Sequence, residues 1–279
     1  MNFLLYWLAR LLLFPFQHLP LAMVARIGRS CGALAYAIDG RHRKVAILNL
    51  TESFGKERSE AEIKALAREN FCRIGENVLS AIRTANMTDA EIREILEFTG
   101  HDPKAPPVSR VLAIGHFGNF ELYARANLFA PGVQMATTYR GLKQAGLNRL
   151  MQEFRRRSGC LFFERRTEAA ALKAAMARPG LWLGLLADQH AGDGGLRLPF
   201  LGRECSTSAA PAVFALRYDC PLHTGFCHRV APGRWRLECG GEIPTRVNGR
   251  ARPVEEITRD MNRAFEMAVR RDPANWFWV

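Results

Sequence analysis

Acidic residues are scarce in this 279-residue sequence: 27 Asp and Glu face 39 Lys and Arg, a formal net charge of +12. That imbalance favours anionic partners: nucleic acid, an anionic membrane face, a phosphorylated substrate or an acidic protein. The basic residues are mostly Arg, whose planar fork suits phosphate. No C-x-x-C spacing occurs, and the seven cysteines, at 31, 72, 160, 205, 220, 227 and 239, are odd in number. This argues against a disulfide framework or a cysteine zinc site, and it suits a reducing compartment with the thiols as small core residues. His190, His223 and His228 form no ligand spacing with nearby acids, so they read as structural and no metal is expected. A Gly-rich phosphate loop, a nucleophile elbow and a kinase signature are also missing. With 48% apolar residues the chain can still bury a core, and no low-complexity tail argues for disorder.

Long apolar runs are short of what a membrane span needs. Residues 3–16 are almost wholly apolar, but Arg10 interrupts them and Pro15 ends them, whereas a spanning helix takes about 20 apolar residues. The run has no basic start and no small-residue cleavage site, which argues against a secretory signal. It fits a helix lying in one leaflet, with Arg10 reaching the headgroups and Tyr6 and Trp7 at the interface. A second stretch, Leu21 to Ile38, is diluted by Arg26, Arg29 and Ser30 and reads as a helix packed on the body or on the membrane. The competing reading makes both ordinary core helices. We divide the chain into residues 1–38, membrane-associated helices, and 39–279, the main domain.

Residues 59–86 predict a long helix: Ser59 and Glu62 form a capping box, and Ile63, Leu66, Phe71, Ile74, Val78 and Ile82 recur at helical spacing. Thr88 and Glu91 open a short helix that Gly100 ends, and three prolines make residues 101–109 a loop. Beyond it, strands near 111–114, 133–138, 160–163 and 181–187 alternate with helices near 120–129, 142–157 and 167–177. A helix at 208–217, a hairpin of 221–229 with 234–239 around Pro232-Gly233, and a final helix at 254–271 complete the pattern. Alternation of this kind implies an α/β fold, a central mostly parallel sheet flanked by helices.

His116 and Glu121 stand five residues apart just after the buried strand 111–114, where α/β proteins place their sites. On one continuous helix they would sit about 140° apart and could not meet. They meet only if His116 lies in the turn before the helix and Glu121 in its first turns, a bend that Gly115 and Gly118 permit. A histidine held by a carboxylate is a general base for a hydroxyl, with the substrate's own hydroxyl as nucleophile.

The His116-x4-Glu121 pattern resembles the signature of glycerolipid-type acyltransferases. The surrounding motifs are similar to those of the bacterial lipid A late acyltransferases: Tyr139-Arg140, Arg155 before Gly159, Asp188-Gln189, Pro199-Phe200-Leu201-Gly202 and Ser206-Thr207, in order across roughly residues 40–278. The resemblance implies a glycerolipid acyltransferase-like fold and an enzyme at the cytoplasmic face of a bacterial inner membrane. It would move an acyl chain from acyl carrier protein, or less often coenzyme A, to a hydroxyl of a lipid A precursor. No cofactor is implied beyond that acyl co-substrate. The partners implied are acyl carrier protein, an anionic lipid and the membrane surface, and no nucleic acid. His116 and Glu121 would be catalytic. Arg140 and Arg155 would bind phosphates of the lipid or of the carrier's arm, against a reading as solvated charges. Asp188 and Gln189 would sit near the site, against a structural hydrogen-bonding role. Phe200, Gly202 and Thr207 would shape an acyl tunnel, against plain turn packing. Two alternatives stay open: the same chemistry on another phospholipid, glycolipid or amino-lipid, and a non-catalytic basic protein that binds membranes or nucleic acid.

Overall fold

The computed structural model describes residues 2–279. Five helices come first: α1 (Asn2–His18), α2 (Leu21–Ile38), α3 (Gly40–Phe54), α4 (Glu60–Thr84) and α5 (Asp89–Ile95). The strands β1 (Leu96–Thr99), β2 (Arg110–Ile114) and β3 (Gln134–Tyr139) follow, with a 3-10 helix, Phe120–Leu128, between the last two. Then come α6 (Ala145–Arg156), β4 (Leu161–Glu164), α7 (Ala169–Met176) and β5 (Leu181–Leu186). The hairpin β6 (Leu196–Phe200) and β7 (Arg203–Thr207) precedes α8 (Ala210–Arg217). The long pair β8 (Leu222–Ala231) and β9 (Arg234–Ile243) leads through a small two-stranded turn to α9 (Val254–Arg271).

Seven strands form one sheet in the order β1-β9-β8-β2-β5-β3-β4, parallel at every neighbour except β8 with β9. The expected α/β class is therefore the observed one. β2 lies at the centre and alternates its side chains between two cores. Val111 and Ala113 face the layer of α8 and α9, with Phe226 and Phe265. Leu112 and Ile114 face the 3-10 helix, with Trp182 and Trp235. Two elements were invisible to periodicity. β1 is only four residues long, Leu-Glu-Phe-Thr, and sits at the sheet edge on β9. α3 opens on Gly-Arg-His-Arg-Lys and is polar around much of its surface, with Asp39 accepting at its start from the His42 amide.

Both capping boxes form as expected, Ser59 with Glu62 and Thr88 with Glu91. α4 is the pillar on which the N-terminal helices lean. A Cβ at Gly28 would stand 2.5 Å from the Gly75 carbonyl oxygen, so α2 and α4 touch backbone to backbone. The fully buried Glu76 then ties three elements together: it accepts from Arg229 Nε at 2.9 Å, from Arg29 at 3.4 Å and from the Gly233 amide at 3.0 Å. α2 is the one helix among the described residues long and apolar enough to cross a membrane, yet this face belongs to the protein body. α1 runs through Pro15 rather than ending there. It exposes Phe3, Leu4, Leu11, Leu12 and Phe14. Tyr6 Oη and Arg10 both donate to Glu153 on α6 at 2.8 Å; Tyr6 is buried, while Arg10 stays about half exposed.

Candidate active site

β2 and β5 are parallel neighbours in a register that pairs Ile114 with Leu186. Two residues further along each strand, His116 and Asp188 come out side by side at the carboxyl end of the sheet. The His116 ring meets Asp188: Nδ1 lies 2.8 Å from Oδ1, and the His116 amide donates to Oδ2 at 2.7 Å. A carboxylate only accepts, so Nδ1 carries the proton and Nε2 is left as the basic nitrogen. The Asp188 side chain is 1% exposed while that of His116 is 18% exposed. The carboxylate is thus held inside the protein and the imidazole stands at a cavity wall. Phe120 contacts the ring edge-on at 4.8 Å between centroids, and Phe277 lies at 6.2 Å. Gly118, with φ +51°, makes the turn that follows, where a Cβ would stand 2.6 Å from the Cys227 carbonyl oxygen.

Glu121 does not hold His116. No hydrogen bond joins them among the described residues, so the contact expected from their spacing does not form. Glu121 lies in the first turn of the 3-10 helix, which directs it toward α6 and β4 instead. There it accepts from Arg155 through both oxygens, at 2.6 Å from Nη2 and 3.2 Å from Nε. The Arg155 guanidinium also lies 5.1 Å from the Phe162 ring and 5.9 Å from the Tyr139 ring. Burial pushes the neighbouring Cys160 thiol up to about 12, with the Glu121 charge adding to the effect, so that cysteine stays an unreactive core residue.

His116 and Glu121 nevertheless share one cavity of about 690 Å³, which Arg140, Arg155, Arg165 and Gln189 also line. A second cavity, about 610 Å³, opens on the other side of Asp188 and is lined by Gln189, Phe200, Thr207, Arg197, Arg203 and Phe277. Gln189 and His190 border both cavities. A third, apolar hollow of about 160 Å³ lies behind the Glu121–Arg155 pair, among Ala81, Ala85, Ala124, Met151, Phe154 and Phe162. Of the nine residues expected at the site, from His116 to Thr207, Gly202 alone lines none of these spaces; with φ +77° it forms the β6–β7 turn beside Leu201. Thr207 is buried and accepts at Oγ1 from Asn262 on α9 at 3.1 Å. Trp276 is not among the residues expected at the site, yet its indole Nε1 donates to Asp188 Oδ2 at 2.8 Å across 88 residues of chain. No His, Cys, Asp or Glu cluster able to hold a metal occurs among the described residues.

A histidine hydrogen-bonded to a buried carboxylate stands at the wall of a cavity with a basic rim, an arrangement that can take a proton from a hydroxyl bound against it. The family model for bacterial lipid A biosynthesis acyltransferase matches residues 1–279. The chain belongs to that family and is an acyltransferase of lipid A biosynthesis by membership. No curated protein sequence matches it.

Proposed function

We propose that this protein transfers a fatty acyl group from an acyl thioester, carried by acyl carrier protein, to a hydroxyl of a lipid A precursor at the cytoplasmic face of the inner membrane. The observation that carries the reading is the His116–Asp188 pair at the wall of a cavity rimmed by Arg140, Arg155 and Arg165. The acceptor hydroxyl binds against His116 Nε2, which takes its proton as the oxygen attacks the thioester carbonyl. Asp188 keeps the ring in the correct tautomer and stabilises the imidazolium, and the departing thiolate receives the proton. No acyl-enzyme forms. Donors near the start of the 3-10 helix stabilise the oxyanion. Glu121 acts through Arg155: it takes the Nε–Nη2 edge of the guanidinium and leaves Nη1 for the acceptor's phosphate.

The division of the site into cavities supports two substrates entering from different sides. α1 is pinned to α6, which also lines the 690 Å³ cavity through Met151 and Arg155. With its apolar face in the lipid, α1 brings that cavity's mouth to the membrane, where the anionic acceptor resides. The second cavity and its Phe200 and Thr207 are left for the donor. The apolar hollow behind Arg155 suits a methylene chain.

The test is transfer measured by mass spectrometry with purified enzyme, acyl carrier protein loaded with one acyl chain, and a lipid A precursor. His116→Ala should lose on the order of 10²–10⁴ in rate. Near-normal transfer by that variant would end the general-base assignment. Lipid extracts from cells with and without the gene separate lipid A precursors from another phospholipid, glycolipid or amino-lipid acceptor.

A further inference from the structure

We propose that Trp276 is a positioning residue for the acyl transfer: its indole N–H, delivered by the strap of residues 273–279, fixes the Asp188 carboxylate that in turn holds His116. This rests on the general-base reading above and extends it to a segment distant in sequence.

Asp188 has two oxygens and three protein donors. Oδ1 takes the His116 ring, while Oδ2 takes both the His116 amide and the Trp276 indole. The ring and amide bonds both come from His116, so they fix the carboxylate only relative to the histidine's own turn. The indole adds a donor from the far end of the chain to Oδ2, so the His116–Asp188 unit is held against the strap as well. The strap is itself held from several sides. Asn70, fully buried on α4, donates to the carbonyls of Ala274 and Trp276. The Gly118 amide donates to the Asn275 carbonyl at 3.0 Å, and Asn275 Nδ2 donates to the Cys227 carbonyl at 2.9 Å. Trp276 also bridges to Phe117, one residue after His116, and its ring packs edge-on against Trp278 at 4.7 Å and Phe200 at 5.5 Å. The indole is therefore anchored to the histidine's own turn, to the central sheet and to α4. Hydrogen bonds to a charged acceptor are among the stronger ones, and losing a positioning contact of this kind lowers turnover more than binding.

The experiment is a double-mutant cycle with the full-length enzyme, acylated carrier protein and lipid A precursor. Trp276→Phe keeps an aromatic ring and removes the N–H. It should lower kcat roughly 10- to 100-fold with KM for either substrate within about twofold of wild type. In an Asp188→Asn background the same change should cost less than about twofold more, because its effect runs through Asp188. If Trp276→Phe folds poorly, benzothienylalanine at 276 replaces the N–H by sulfur within the same ring outline and should reproduce the kcat loss. A folded variant with wild-type kcat, or costs that multiply fully in the Asp188→Asn background, would overturn the proposal. A wild-type enzyme that transfers no acyl group in this assay would instead sink the parent reading, so the two failures are distinguishable.

Discussion

Arg155 is engaged on three sides at once, by the Glu121 carboxylate and by the Phe162 and Tyr139 rings. Lysine cannot reproduce either the two-pronged bond or the flat stacking surface. Arg155→Lys should therefore reduce kcat/KM roughly 10- to 100-fold, which initial-rate kinetics with the acceptor varied would read. The thiols offer a simpler check. Cys31 is exposed, whereas Cys160 is held at about 12 and the Cys227 thiol is pushed higher still by burial. Iodoacetamide at pH 8 should alkylate Cys31 and leave those two untouched, as peptide mass mapping would show. At this scale His116 was legible because a glycine-flanked histidine after an apolar run is a local pattern. Its true partner was not: Asp188 becomes adjacent only through the pairing of β2 with β5, which no spacing in the sequence encodes. Glu121 was the nearest carboxylate along the chain, and nearness along the chain proved a poor guide across a 3-10 turn.

The contact of α2 with α4 is an element-level commitment. Both helices approach through glycines, and a methyl group at either position would meet backbone, which cannot rotate away. Gly28→Ala or Gly75→Ala should destabilise the protein by about 1–3 kcal/mol, seen as a lowered Tm in detergent. Ser59→Ala, which removes the α4 cap, should cost about 1 kcal/mol by the same measurement. Capping boxes and 3.6-residue periodicity made α4, α5 and α9 readable, and buried apolar runs did the same for β2, β3 and β5. β6 and β7 carry no strand pattern in the sequence, because the hairpin is defined by the turn at Leu201-Gly202, where both residues adopt positive φ. The strap of residues 273–279 has no periodicity at all; what defines it is bonding to residues far away.

Across the whole molecule, charge and pH act together. A net charge of +12 predicts binding to vesicles rich in anionic lipid that weakens as salt rises from about 50 to 300 mM, which cosedimentation would follow. His228 supplies the acid side of the stability curve. Burial, with nearby Arg271 adding to it, lowers its pKa to about 4, against about 6.5 in an unfolded chain. Above pH 6.5 neither state binds that proton and the residue costs nothing. As pH falls toward 4 the unfolded chain takes it up first, which removes on the order of 3 kcal/mol of stability. His228→Gln should flatten the decline of urea midpoint between pH 7 and pH 4.5. The α/β class was legible at this scale from alternation alone, since each strand–helix pair is a local signal. The layout of the site was not, because its members come from β2, β5, α6 and the strap. That layout carries a kinetic consequence. The bonds that Asn70 makes to the strap span 204 and 206 residues, so closing them comes late in any folding path. A refolding chain should recover its helical signal well before it can turn over substrate, and a half-folded enzyme would pair His116 with Asp188 before the strap has settled beside them.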